Sequence, residues 1–217
     1  MKDFKKLEKI NWGFTLIELM VTVSIMTIIS SVIIYENSKF NSSILLTNLA
    51  YEGALFARQS QVFGLSSRAT AGFTDIGYGL HFDLSKPREF VFFADTDVGL
   101  DFLGRSNKSS YQPGEEINII GITNRNRILN ICTRSGASWT CAMDEGVTTD
   151  LNLSVASFAF IRPDPEPEFR NAVKSQLNTA ASLYVIFSND TSTEDRRCLV
   201  VTNSGQISVK SQSNCRP

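Results

Sequence analysis

Three aspartates, one histidine, four cysteines and a group of basic residues near the tail are the side chains of this 217-residue chain whose types and spacing could do chemistry. Asp95, Asp97, Gly99 and Asp101 form the pattern D-x-D-x-G-x-D. Alternating carboxylates around a turn are how calcium loops present oxygen ligands, so Asp95, Asp97 and Asp101 are a calcium candidate, with Glu115 and Glu116 able to reach back to it. No glutamate stands at the twelfth position of the loop, and an ordinary solvated turn uses the same residues. Cys132, Cys141, Cys198 and Cys215 fall into two sequence-close pairs without the C-x-x-C spacing of zinc or dithiol redox sites. They read as disulfide candidates of an exported, oxidised domain. A Cys132–Cys141 bridge would close the loop between them, and a Cys198–Cys215 bridge would pin the tail back, although spacing alone leaves the connectivity open.

The one histidine, His81, stands in an alternating strand pattern, which predicts a strand-surface or edge position. G-x-S-x-G, Walker and H-E-x-x-H patterns are all absent, so the expectation is a protein that is not an enzyme and has no cofactor beyond the calcium candidate. Arg196, Arg197, Lys210 and Arg216 gather near the tail. They are the basis of an alternative reading as a DNA-binding subunit, whose phosphate contacts would weaken steeply with salt. The plainer reading is that they solubilise the last hairpin. A net charge of −1 and a pI near 5.9 argue against bulk nucleic acid or an anionic membrane surface as the main partner.

One further charge is out of place. From Phe14 to Tyr35 the chain reads FTLIELMVTVSIMTIISSVIIY, in which Glu18 is the only charged residue. The run is long enough to span a hydrocarbon core of about 30 Å. A carboxylate inside it costs roughly 2.5–3.5 kcal/mol even on lenient insertion scales, so a partner is expected. Lys2, Lys5, Lys6 and Lys9 outnumber Asp3 and Glu8 before the run. This asymmetry keeps residues 1–13 cytoplasmic and places the remainder outside. No A-x-A-like cleavage site follows the apolar run, as a secretory signal would require.

Gly13-Phe14-Thr15-Leu16-Ile17-Glu18, behind its basic leader, closely resembles the processing site of type IV prepilins and type II secretion pseudopilins. The resemblance covers about the first fifty residues. It implies cleavage between Gly13 and Phe14 by prepilin peptidase, methylation of the new Phe14 amine, and pairing of that amine with Glu18 of a neighbouring subunit during assembly. Many major pilins carry a helix-kinking proline in this segment, and here there is none. The segment LTNLAYEGALFARQSQVFGLSSR is similar to the helix end of the H-type pseudopilin and FimT group of minor pilins.

The elements that must carry these residues follow. Leu45, Leu49, Phe56 and Phe63 recur at helical spacing, widened by Ile44, Leu55 and Val62, and predict that the helix continues to about Leu65 with this stripe against the head. Gly64 is expected to end it. Beyond lie short β-like runs, GYGLHFDL, REFVFFAD, EEINIIGI, RILNICTR, LNLSVASFAFI, SLYVIFS, RRCLVVTN and QISVK, separated by turn residues. Asn203-Ser204-Gly205-Gln206 is a hairpin turn with Gly205 at positive φ. Arg162 to Arg170, RPDPEPEFR, reads as an exposed polyproline-type insertion.

The expected architecture is therefore α+β and pilin-like: a leader at 1–13, a transmembrane helix at 14–35, its amphipathic continuation at 36–65, and a largely antiparallel β-rich head at 66–217. The function this implies is a minor pilin or pseudopilin, a structural subunit of a type IV pilus or type II secretion pseudopilus. It would reside in the cytoplasmic membrane and then in the fibre. Its partners would be prepilin peptidase, other pilin or pseudopilin subunits, the inner-membrane assembly platform and membrane lipid. The alternatives are the DNA-binding subunit and a membrane-anchored ectodomain that never polymerises.

Overall fold

The structure, a computed structural model, describes residues 13–66, 76–96, 111–143, 148–149, 151–163, 165–171, 177, 180–190, 192–211 and 214–215. It is an α+β protein whose chain divides into two compact units, Met1–Asn41 and Ser42–Pro217. One helix, α1 (Leu16–Leu65), contributes to both. Its start follows from local chemistry. Thr15 Oγ1 accepts the Glu18 backbone N–H at 3.3 Å, which satisfies one of the orphan donors of the first turn. Glu18 lies in that turn, where the helix dipole favours a negative charge. No proline interrupts the ladder before Leu65.

Among the described residues the second unit has eleven strands in two sheets. These are β1 (Gly77–Asp83), β2 (Glu89–Asp95), β3 (Glu116–Gly121), β4 (Asn126–Ser135), β5 (Ser138–Cys141), β6 (Thr148–Thr149), β7 (Val155–Phe160), β8 (Pro167–Asn171), β9 (Ser182–Asn189), β10 (Ser192–Thr202) and β11 (Ile207–Ser211). The first sheet has the order β3-β2-β1-β7-β8 and the second β11-β10-β9-β4-β5-β6. Every pairing is antiparallel except β5 with β6.

Alternation along the strands delivers Leu80 and Phe82, Phe90 and Phe92, and Phe158 and Phe160 from the first sheet into one core. Leu183, Val185 and Phe187 with Leu199 and Val201 enter it from the second. Leu46, Leu49, Ala50, Ala54 and Ala57 complete it from the second half of α1. Phe56 and Phe63 flank that face and meet Phe90, Phe92 and Tyr78 at ring distances of 5.6–6.1 Å.

Three expectations need correction, and one pair of alternatives, strand surface or edge for His81, is decided for the strand surface. The helix face on the sheets is not widened by Ile44, Leu55 and Val62, which are exposed. After Leu46 and Leu49, the centre of that face is lined by the small residues Ala50, Ala54, Ala57 and Gly64, where the helix lies close over the sheets, with Phe56 and Phe63 at its flanks. Gly64 does not stop the helix. It is a buried residue of the last turn, and a Cβ there would stand 2.2 Å from the Phe160 carbonyl oxygen. Arg162 to Arg170 is not wholly an exposed insertion, since Pro167–Asn171 forms β8 against β7 after a cis Arg162–Pro163 bond. His81 lies on β1 between β2 and β7, not at an edge. The turn at Gly205 matches its expectation, with φ +78°.

Candidate functional site: the amino-terminal helix

The residues of the processing-type motif lie together at the start of α1. Gly13 and Phe14 precede the helix and are exposed, and Glu18 occupies its first turn. The following segment, Leu16–Ile34, is 19 residues long and apolar enough to cross a membrane, and none of its residues is buried. Thr22 Oγ1 donates to the Leu19 carbonyl, Ser24 Oγ to Met20 and Thr27 Oγ1 to Ser24, at 2.8–2.9 Å. With their hydroxyls satisfied on their own backbone, these residues leave an apolar surface with a shallow groove. Thr22, Val23, Met26, Thr27, Ser30 and Ile34 line it. Such small-residue grooves let helices approach closely in lipid.

The second half of the helix is anchored to the sheets by one basic residue. Arg197 Nε donates to Thr47 Oγ1 and Arg197 Nη2 to Ser43 Oγ, both at 3.1 Å, while Nη1 pairs with Asp195 at 3.2 Å. The basic group near the tail is thereby divided. Alternation on β10 sends Arg197 toward the helix and Arg196 to the opposite face of the sheet. Lys210 shares that opposite face and sits 5.7 Å over the Tyr184 ring. Arg216 lies outside the described residues.

The four cysteines form two disulfides. Cys132–Cys141 joins directly opposed positions of β4 and β5, and Cys198–Cys215 ties the tail to β10. Both lie on the outward face of the second sheet under Tyr184, Trp139 and Ile186.

Of the calcium candidates, Asp95 is buried at the end of β2, and Asp97 and Asp101 lie outside the described residues. Glu115 does reach back to this point, but its carboxylate accepts the backbone amides of Thr96 at 3.0 Å and Gln112 at 2.8 Å. Glu116 accepts the Tyr111 hydroxyl and the Gly114 amide, and these bonds hold its carboxyl below the usual range. Burial and this carboxylate together push the Tyr111 hydroxyl up to about 12. Among the described residues no three His, Cys, Asp or Glu side chains are grouped to hold a metal ion.

Sequence reasoning did not place His81 with Ser157 and Tyr111. His81 Nδ1 is 2.8 Å from Ser157 Oγ, and its ring centre lies 4.4 Å from that of Tyr111 at a tilt of 42°. Burial lowers its pKa to about 4. The serine is itself buried, so this contact reads as a cross-strand packing bond rather than an activated nucleophile. Only the pairing of β1 with β7, invisible in the sequence, brings the two together.

No protein-family model matches the chain, and no match is found among curated proteins or among solved structures.

Proposed function

We propose that the chain is a minor pilin or pseudopilin with a pilin-like fold, a subunit of a type IV pilus or type II secretion pseudopilus. One observation carries this reading: a glutamate four residues beyond a Gly-Phe junction opens an apolar helix, and among the described residues none of its first 19 is buried. An apolar helix exposed along its length needs lipid or other helices around it. Cleavage after Gly13 would create an ammonium group at Phe14, and Glu18 of a neighbour would neutralise it. Two charges unfavourable in the membrane then become one pair as the subunit leaves the bilayer.

On this reading the amino terminus faces the cytoplasm, the head faces outward, and prepilin peptidase and the inner-membrane assembly platform act on the precursor. The two disulfides support an exported head. The deciding experiment is intact mass and amino-terminal sequencing of protein from membranes and from sheared surface fibres, with and without prepilin peptidase. A chain starting at methylated Phe14 only when the peptidase is present is expected. An uncleaved chain, absent from fibres, would leave a membrane-anchored ectodomain. Glu18→Gln subunits should reach the membrane normally but enter fibres poorly, and normal incorporation would remove the pairing role.

A further inference from the structure

The two sheets lie along the second half of α1 with a definite direction. Arg197 ties the second sheet to Ser43 and Thr47, whereas Gln61 donates to the Gly205 carbonyl at 3.1 Å. On the first sheet Phe90 meets Phe56, and Tyr78, which pairs with Ala94 further along β2, meets Phe63. The β1–β2, β3–β4 and β9–β10 turns therefore lie toward the Ser42 end of the helix. They are laced into one rim, in which the Ile122 N–H donates to the Arg88 carbonyl, Ile128 to Pro87 and Asp190 to Arg125, at 2.7–2.8 Å. Asp190 is shared by Arg88 Nη2 at 2.6 Å and Arg127 Nε at 3.2 Å, and one carboxylate cannot use up the five N–H donors of each guanidinium. Arg125 is exposed at the tip, at a φ of +59° where glycine would be unstrained. A strained arginine at a surface tip points to a role outside the packing of the fold. Lys86 is a fourth cation; Glu89 pairs with it at 3.2 Å, and Asp83 caps the Ser85 amide at 2.7 Å. At the other end of the first sheet stand Asp95, Glu115 and Glu116. The chain's net charge of −1 thus conceals, among the described residues, a head that is positive toward Ser42 and negative away from it.

We infer that this rim binds the phosphate groups of anionic lipid at the surface of the membrane that α1 crosses, through Arg88, Arg125 and Arg127 with Lys86 beside them. Connectivity keeps the two within reach. Residues 35–41 join Ile34, where the apolar span ends, to Ser42, where the second unit begins, and eight Cα steps extend at most about 28 Å. Guanidinium forks match phosphate oxygens two at a time and are weakly hydrated, which suits arginine to such a contact. Basic side chains act on an anionic leaflet across a Debye length of about 8–10 Å, so the rim need not enter the bilayer. Nucleic acid fits less well, because Leu84–Arg88 and Ile122–Arg125 contain no aromatic residue on which a base could stack. The contact holds the head of a membrane-resident chain against the bilayer and breaks when the chain leaves it. It requires α1 to span the membrane, as in the function proposed above, and does not require assembly.

The test uses the full-length chain in lipid vesicles, where the native cysteines are occupied in disulfides. Ser85→Cys, exposed in the β1–β2 turn, carries a fluorophore, and a trace lipid with a quencher on its headgroup reports contact. Quenching is expected to be stronger in vesicles that contain phosphatidylglycerol than in phosphatidylcholine alone. It should fall when salt rises from about 0.1 M to about 1 M, which shortens the Debye length from about 10 Å to about 3 Å. Arg88→Gln and Arg125→Gly should each weaken the contact about fivefold. Arg125→Gly relieves the turn, so it separates loss of contact from loss of fold. Quenching that ignores phosphatidylglycerol, or that both variants leave unchanged, would overturn the lipid contact. Inorganic phosphate that raises the unfolding midpoint while phosphatidylglycerol leaves the quenching unchanged would put a free ion in place of the lipid. Alkaline carbonate extraction of the same vesicles reads insertion separately. Chain that washes off would sink the membrane reading of α1, and inserted chain with a head indifferent to phosphatidylglycerol would sink the lipid contact alone.

Discussion

A methyl group on Gly64 would stand 2.2 Å from the Phe160 carbonyl oxygen and 2.8 Å from its carbon, so the last turn of α1 rests directly on the backbone of β7. Neither contact atom belongs to a side chain that could swing away. Gly64→Ala is therefore expected to force the helix end off the first sheet, at a cost of about 2–4 kcal/mol. Gly53, on the same helix, is the control. A Cβ there meets Leu199 at 3.6 Å and Phe187 at 3.7 Å, ordinary contact distances. Gly53→Ala should be neutral or stabilising by up to about 1 kcal/mol through helix propensity. Thermal unfolding of the two full-length variants in detergent checks the contrast, and equal midpoints would refute it.

The turn between β3 and β4 holds Asn124 at φ +60° and Arg125 at φ +59°, closed by a bond from the Asn126 amide to the Thr123 carbonyl at 3.2 Å. Asparagine tolerates the left-handed region, but arginine pays for its Cβ there. Arg125→Gly removes that strain in a turn type that favours Asn-Gly. It should raise stability by about 0.5–1 kcal/mol, seen as a higher unfolding midpoint. A lower midpoint would mean that the arginine side chain contributes more than its backbone costs.

The parts of this molecule legible in its sequence are those governed by local periodicity. The runs around Leu80, Phe92, Val185 and Val201 are short, apolar and bounded by turn residues, enough to be read as strands, and all four residues are buried in strands. The apolar run after Gly13 and the turn at Gly205 are equally local. What could not be read depends on distance between elements. Large side chains at Ile44, Leu55 and Val62 look like a core stripe, but the close approach of α1 to the sheets selects Ala50, Ala54 and Ala57 instead. β8 starts with a proline and carries Glu168 and Arg170, a pattern that looks like a loop until β7 pairs with it. Arg196 and Arg197 are adjacent in sequence, yet only one of them fastens the helix. For the candidate site, the motif residues and Cys pairs were visible, whereas the exposure of Ile44, Leu55 and Val62, which read as part of the core stripe, was not.

The two disulfides close loops of different length, with sequence separations of 17 for Cys198–Cys215 and 9 for Cys132–Cys141. Loop-closure entropy assigns them about 3 and about 2.5 kcal/mol respectively. The Cys132–Cys141 hairpin is also held by β-ladder pairing from Thr133–Thr140 to Ser135–Ser138, whereas the tail around Cys215 follows β11. Replacing both Cys198 and Cys215 by serine should therefore cost more than replacing both Cys132 and Cys141. Urea unfolding of the two double variants measures the order, and the reverse order would show that the tail contributes little.

His81 should give the stability a specific pH dependence. Burial on β1 lowers its pKa from the ordinary 6.5 to about 4, with Asp83 raising it slightly and Lys86 lowering it. The unfolded chain takes up this proton near pH 6.5 and the folded chain only near pH 4. Between these values the unfolded state binds more protons, so stability rises with pH across the window. The contribution is complete above about pH 6.5, is lost progressively on acidification toward pH 4, and is constant below, with a total of at most about 3 kcal/mol. Carboxylates titrate in the same range, so the wild-type profile alone does not isolate the imidazole. His81→Gln keeps a polar partner for Ser157 without titrating. Its unfolding midpoint should fall less steeply than that of the wild type between pH 6.5 and pH 4, with the two profiles running parallel at higher pH. Profiles that stay parallel down to pH 4 would show that His81 takes up its proton in the fold as readily as in the unfolded chain.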